Sequence, residues 1–315
     1  MRRDVKNRFL AGHALVTLAL LALPACAAGQ SGIDATKLLA DVRALSADSM
    51  EGRRTGTPGS ERARRFLDRA FAQAGIEPMA ASYRHTFAVA SRDSARIDGI
   101  NMIGRIRGAD TSRIIVLTAH YDHLGRRGND IFNGADDNAS GVAALLALAR
   151  SFAAAAPRHT LVFAALDAEE MGLQGARAFV ANPPVALGSI AININLDMVS
   201  RSEKDELWVA GTHHYAFLRP FVERMAAQAR VKLQIGHDLP GTGSNDWTTA
   251  SDHGPFHARG IPFLYFGVED HADYHRATDD PDRVDADFYA RAVTTILEAV
   301  RALDADLDTL VPRRD

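Results

Sequence analysis

The chain has 315 residues, 47% of them hydrophobic, enough for one large domain or two small ones with a sizeable core. Its formal net charge is −3, so no broad basic field marks it for nucleic acid. It has no internal repeat and no low-complexity tract, which excludes solenoid and fibrous architectures.

Met1 to Arg8 is basic, Phe9 to Ala22 is mostly apolar, and Leu23-Pro24-Ala25-Cys26-Ala27-Ala28 supplies small residues. That is a signal-peptide pattern, and the apolar run is short for a membrane-spanning helix. Cys26 is the only cysteine, so no internal disulfide can form. Leu23-Pro24-Ala25-Cys26 resembles a bacterial lipobox, which implies lipidation of Cys26 and a periplasmic or outer-membrane lipoprotein. Cleavage after Ala27, giving a soluble secreted protein, is the competing reading, and both export the chain. The expectation is a signal peptide over 1–26 and a single domain over 27–315, meeting a membrane only through a lipid on Cys26.

Residues 34–47 read as a helix capped by Asp34, and 57–74 as a second, with Thr57 as cap, Pro58 in the first turn and Gly75 as stop. Phe66, Leu67, Ala70 and Phe71 form its inner face, and Arg62, Arg64, Arg65 and Arg69 read as solvated charges. Strands follow near 82–90 and 101–107. Then strand 113–119 leads to helix 139–155, strand 160–166 to helix 172–181, and strand 189–196 ends at Asp197. Strand 206–210 precedes helix 215–229, and strand 261–267 leads through a loop to a last helix over 285–304. The stretch 236–254 is the longest irregular one. Continuous apolar strands separated by helices predict an α/β three-layer sandwich with a central mixed, largely parallel sheet flanked by helices.

In open sheets of this kind, sites form beyond the carboxyl ends of the strands. His120 stands just past one such end, Glu169 and Glu170 past the next, Asp197 past a third, and His275 one loop beyond a fourth. Each has an ordinary alternative. Glu169-Glu170 suits the first turn of a helix, and Asp136-Asp137 suits a helix cap. Together, imidazole and carboxylate gathered at one sheet edge suit zinc, with no thiolate in the mature core. A hydrolytic site with two metals needs one bridging carboxylate, further ligands, and a free carboxylate to take a proton from water.

Five segments carry a resemblance: His120-Tyr121-Asp122-His123-Leu124-Gly125, Asn133-Gly134-Ala135-Asp136-Asp137-Asn138-Ala139-Ser140-Gly141, Glu169-Glu170-Met171-Gly172, Asn195-Leu196-Asp197-Met198 and Asp273-Tyr274-His275. With Met50-Glu51-Gly52-Arg53, they make residues 35–305 resemble the co-catalytic zinc aminopeptidases, metallopeptidase family twenty-eight. The resemblance implies the zinc exopeptidase fold and two zinc ions, with Asp136 bridging them. It gives one metal to His120 and Asp197, and the other to Glu170 and His275. It makes Glu169 the general base, Asp122 the residue that orients His120, and Tyr274 a support for the oxyanion. It also implies a cis peptide between Asp136 and Asp137. The expected substrates are peptides with a free N-terminus. Carboxypeptidase or dipeptidase action, cyclisation of N-terminal glutamine, and a metal-free binding protein are the alternatives. A serine esterase is discounted, because Ser140 does not sit in a Gly-x-Ser-x-Gly elbow.

Overall fold

The computed structural model describes residues 1, 32–90 and 97–313. Apart from Met1, the segment 1–26 expected to be a signal peptide, with Cys26, lies outside the described residues. Residues 31–315 form one compact unit, and no helix among the described residues is long and apolar enough to cross a membrane.

The first two helices form where their caps predict. Asp34 accepts the Lys37 N–H at 3.0 Å and starts α1 (Ala35–Leu45). Thr57 accepts the Ser60 N–H, and Pro58 opens α2 (Pro58–Gln73). Among the described residues nine strands make one sheet: β1 (Glu77–Pro78), β2 (Arg84–Val89), β3 (Ile97–Ile106), β4 (Asp110–His120), β7 (His159–Leu166), β8 (Ile190–Leu196), β9 (Glu206–Ala210), β10 (Lys232–Ile235) and β11 (Phe263–Gly267). A short hairpin, β5 (Gly125–Arg127) with β6 (Asp130–Phe132), stands apart. The remaining helices are α3 (Gly141–Ala154), α4 (Gln174–Ala181), α5 (Arg219–Ala226), α6 (His253–His257) and α7 (Ala286–Leu310).

The order across the sheet is β1-β3-β7-β4-β8-β11-β9-β10, with β2 paired to β3. β4 runs parallel to β7 and β8, and β11 runs parallel to β8. β3 and β9 are antiparallel to their neighbours β7 and β11. Every residue of β7 and β8 is buried, as expected of parallel strands covered on both faces. Helices α1, α3 and α7 pack on one another over the larger core, and α4 and α6 pack together over the smaller. The parallel register has a consequence for function. The carboxyl ends of β4, β7, β8 and β11 lie along one edge of the sheet.

The opposite edge is clamped to α7. Arg113 of β4 donates to the carbonyls of Leu307 and Val311 at 2.9 and 2.7 Å. The Arg158 and His159 backbone N–H groups donate to the two oxygens of Asp304, and the His159 ring lies 3.0 Å from that carboxylate. The carboxylate of Asp308 is already taken by the Arg158 guanidinium at 2.7 Å.

Several boundaries differ from the sequence expectation. The helix expected from 139 begins at Gly141, behind a π-type segment whose Asp137 and Asn138 are not helical. The last helix runs six residues further, to Leu310. Arg64 is buried rather than solvated. It donates to Ser60 Oγ, Glu61 and the Tyr121 hydroxyl and faces Asp167 at 3.6 Å. Its aliphatic stem lets it lie along apolar surface while its head finds anionic partners.

Candidate metal and catalytic site

Four strand ends deliver the predicted residues to one place. His120 is the last residue of β4 and pairs in register with Leu166 of β7. Glu169 and Glu170 follow β7 through Asp167-Ala168, where Ala168 takes a positive φ of 57°. Asp197 follows the end of β8, and His275 closes the loop after β11. A cavity of about 390 Å³ opens on His120, Asp137, Glu169, Glu170, Asp197, Tyr274 and His275. A larger cavity, about 510 Å³, adjoins it along Val268 and Asp270 but contains none of the clustered ligands.

The structure corrects the bridging residue by one position. Asp136 faces away from the cluster: one oxygen accepts from the Ser200 N–H and hydroxyl, and the other lies 3.1 Å from His271. Asp137 takes the central place. Its Oδ1 lies 3.3 Å from His120 Nε2, and its Oδ2 lies 3.1 Å from His275 Nε2. The cis peptide is likewise one residue later than expected, at Asp137-Asn138. The two oxygens of Asp137 therefore face two different groups. His120 Nε2 also lies 3.2 Å from Asp197 Oδ1, and His275 Nε2 lies 3.4 Å from Glu170 Oε2.

His123 joins the second group, and sequence reading did not assign it a role. It is buried, with Nδ1 2.7 Å from Glu170 Oε1 and 3.7 Å from Asp137 Oδ2. Among the described residues two three-residue sets at this edge have ligand atoms close enough to hold one cation each, His120 with Glu169 and Asp197, and His123 with Asp137 and Glu170. A third set, Asp110 with His159 and Asp308, lies at the opposite edge.

Electrostatics make the same point. Burial works against the His120 imidazolium, yet Asp197, Glu169 and Asp137 raise its pKa well above the usual value. Burial also opposes the His275 imidazolium, but hydrogen bonds it donates to Asp137 and Glu170 raise it to about 10. Burial would raise the Asp137 carboxyl, and the three histidines around it hold it well below the usual range. A buried set that binds protons this firmly favours positive charge, and a divalent cation among imidazole and carboxylate donors supplies it.

The supporting residues are placed as follows. His120 Nδ1 lies 3.2 Å from the backbone carbonyl of Asp122 and 3.7 Å from its carboxylate. The Asp122 carboxylate instead accepts the Glu169 N–H at 3.0 Å, so Asp122 holds both the ring and the Glu169 backbone. Glu169 lines the cavity. Burial, then the charges of Asp197, Asp252 and Glu170, raise its carboxyl well above the usual range despite the opposing pull of His120. The Tyr274 ring stacks on His275 at 3.9 Å. Tyr265, not singled out from sequence, also lines the cavity, with its hydroxyl 3.4 Å from the Asp197 carbonyl. Ser251 donates to Asp197 Oδ2 at 2.6 Å and accepts from Asn195, which fixes that carboxylate. Asp252 does not cap α6: its carboxylate is buried without a hydrogen-bond partner, and burial pushes it up to about 7.

One cation is built in beneath the site. Arg53 is fully buried and donates to four carbonyls: Tyr121 at 2.7 Å, Leu45 at 2.8 Å, Asn133 at 2.6 Å and Gly134 at 2.9 Å. Burial pulls its pKa down to about 10, while Asp137, Asp279, Asp122 and Glu170 pull it up. The preceding Gly52 has φ +64°, and a Cβ there would come 2.6 Å from the Gly125 carbonyl oxygen, so only glycine fits. Arg53→Met is expected to strand these carbonyls and cost about 3–5 kcal/mol, as loss of one partner from a buried charged network does. Thermal unfolding checks this: a fall of roughly 6–20 °C is expected, and an unchanged Tm would show that the carbonyls are satisfied otherwise.

The comparisons with known proteins agree with this geometry. Over 188 residues the chain is 33% identical to aminopeptidase YwaD of Bacillus subtilis, covering 57% of this chain and 36% of that protein. The chain spans between 25% and 36% of the length of the first curated relatives it matches, fungal proteins described as probable zinc metalloproteases. Its fold is similar to that of a Zn-dependent exopeptidase from Parabacteroides distasonis, with a TM-score of 0.68, 22% identity, and coverage of 86% of this chain and 99% of that one. It is equally similar to the glutaminyl cyclase of Porphyromonas gingivalis, with a TM-score of 0.70, 20% identity, and coverage of 87% and 99%. The model of peptidase family M28 matches residues 101–300, which contain β4, β7, β8, β11 and every clustered ligand, and on that match the chain belongs to peptidase family M28.

Proposed function

We propose that this protein is an exported zinc-dependent aminopeptidase that holds two zinc ions and removes the first residue from peptides with a free N-terminus. The observation that carries this reading is the division of Asp137 between two groups, Oδ1 toward His120 and Oδ2 toward His275. One ion would be held by His120, Asp197 and Asp137, the other by Asp137, Glu170 and His275. Zinc bound there supplies a water of lowered pKa and a Lewis acid for the scissile carbonyl. Glu169 takes the water proton as the carbonyl is attacked, and hands it to the leaving amine. Tyr274 turns its hydroxyl to the oxyanion. Asp122 and Ser251 hold His120 and Asp197 in place.

Charge supports the choice of terminus. Among the described residues, those lining the cavity include five carboxylates and no lysine or arginine. Such a cleft suits a substrate ammonium group, and it presents no lysine or arginine side chain to pair with an α-carboxylate, which disfavours carboxypeptidase action. Export, with lipid on Cys26, rests on the sequence pattern of residues 1–28 alone.

The test is mass spectrometry of products from a peptide mixture, using zinc-loaded protein that starts after residue 26. Loss of the first residue from free peptides, with acetylated peptides untouched, is the expected outcome. Trimming from the carboxyl end would overturn the aminopeptidase reading. Loss of ammonia from peptides with N-terminal glutamine would move it to cyclisation, the reaction named for one of the folds it resembles.

A further inference from the structure

We propose that His123 is an additional metal ligand, completing the group formed by Asp137, Glu170 and His275. The inference rests on the metal-binding reading above and deepens it. Three observations support it.

The first is unsatisfied polarity. His123 Nδ1 and Glu170 Oε1 lie 2.7 Å apart, yet neither has a hydrogen-bond partner of acceptable geometry, and His123 Nε2 has none either. Two buried polar atoms this close, without a well-formed hydrogen bond between them, leave donor lone pairs for a third group to satisfy. A histidine that merely oriented Glu170 would point an N–H along the line between them.

The second is spacing. Donor atoms at about 2.0–2.2 Å from a tetrahedral ion stand roughly 3.3–3.6 Å apart. The separations here are 2.7 Å for His123 Nδ1–Glu170 Oε1, 3.1 Å for His275 Nε2–Asp137 Oδ2, 3.4 Å for His275 Nε2–Glu170 Oε2 and 3.7 Å for His123 Nδ1–Asp137 Oδ2. They scatter about that value, and the two imidazole rings approach from different sides, with centroids 5.9 Å apart at 59°.

The third is fixation. His123 is buried, and Gly134 leaves room for its ring: a Cβ on Gly134 would lie 2.6 Å from both Cγ and Cδ2 of His123. Gly134 has φ +55°, and its carbonyl is held by Arg53. The backbone is shaped around the imidazole, which holds it against Glu170 before any ligand arrives.

The two halves of the site thereby differ. One offers two imidazoles and two carboxylates, a full tetrahedral set. The other offers one imidazole and two carboxylates beside Glu169, which leaves a position for water. The His123 half is expected to fill first and more tightly.

Zinc titration of metal-free protein by calorimetry, with X-ray absorption at one zinc per chain, tests this. Wild type is expected to show two imidazoles on the first ion. His123→Ala and the bulkier His123→Gln are expected to show one, with the tight binding step weakened by more than about 100-fold, beyond the 10–100-fold typical of a supporting residue. Circular dichroism and thermal unfolding of the metal-free variants show that they fold; if His123→Ala does not, His123→Gln carries the comparison. Two imidazoles in both variants, or weakening below about 10-fold, would overturn the assignment while leaving the zinc site standing. Wild type that takes up no zinc would sink the metal reading itself, and the inference with it.

Discussion

Asp137→Asn is expected to release zinc and abolish peptidase activity, whereas Asp136→Asn is expected to leave both largely intact. Asp137 stands between His120 and His275, one oxygen toward each. Removing one charged partner from a buried set costs about 3–5 kcal/mol, or roughly 10²–10⁴ in an equilibrium constant, and here the loss falls on both halves of the site. Asparagine at 136 keeps the oxygen that accepts from Ser200, and its amide nitrogen replaces the oxygen beside His271. Its effect on kcat/KM is expected to stay below about 10-fold, under the usual cost of losing an outer partner. Zinc content after dialysis against a weak chelator, read beside kcat/KM, separates the two variants. A dead Asp136 variant with a working Asp137 variant would restore the assignment implied by the sequence resemblance.

Glu169→Gln is expected to lower kcat by about 10²–10⁴, the range for loss of a general base, with zinc content unchanged. The side chain lies beside His120 and Asp197 but is the one glutamate not needed to face Asp137. Its pH behaviour has a definite sign. The carboxylate form is the active base, so activity rises with pH through the Glu169 pKa. Burial and the neighbouring Asp197, Asp252 and Glu170 move that pKa up from the ordinary carboxyl value, while His120, and any cation bound beside it, move it down. The acid limb of the wild-type kcat profile therefore belongs to Glu169 and is expected to vanish in the variant. A variant that keeps full turnover, or an acid limb unmoved by the substitution, would remove Glu169 from the role.

The frame was readable from sequence because parallel strands announce themselves as apolar runs, and their carboxyl ends then mark where chemistry gathers. His120, Glu169, Glu170, Asp197 and His275 sit at or just beyond the ends of β4, β7, β8 and β11 for that reason. The adjacent aspartates were not resolved by the same logic. Between Gly134 and Gly141 the chain is neither strand nor regular helix, with Asp137 at φ −101° and ψ 93° and Asn138 at φ −132° and ψ 44°. No period tells which carboxylate faces inward. Ser200 and His271, far along the chain, decide it by claiming Asp136. His123 escaped notice for a related reason: its partner Glu170 is 47 positions away, and nothing local distinguishes it from a packed histidine. Arg64 was misread because helix-surface arginines are usually wet. Its burial follows from the Tyr121 hydroxyl and Asp167 opposite it, which only the tertiary fold supplies.

The clamp of Arg113, Arg158 and His159 on α7 lies at the far end of the strands whose tips carry the site. That separation divides the molecule's vulnerabilities. Lesions at the clamp, such as Asp304→Ala, change how many molecules are folded at a given temperature while each folded molecule works at its normal rate. Lesions in the catalytic side chains at the tips, such as Glu169→Gln, change the rate of each molecule while the population stays folded. Durability and catalytic power can thus drift independently along the same strands, and a lineage could adapt to heat at one edge without relearning its chemistry at the other.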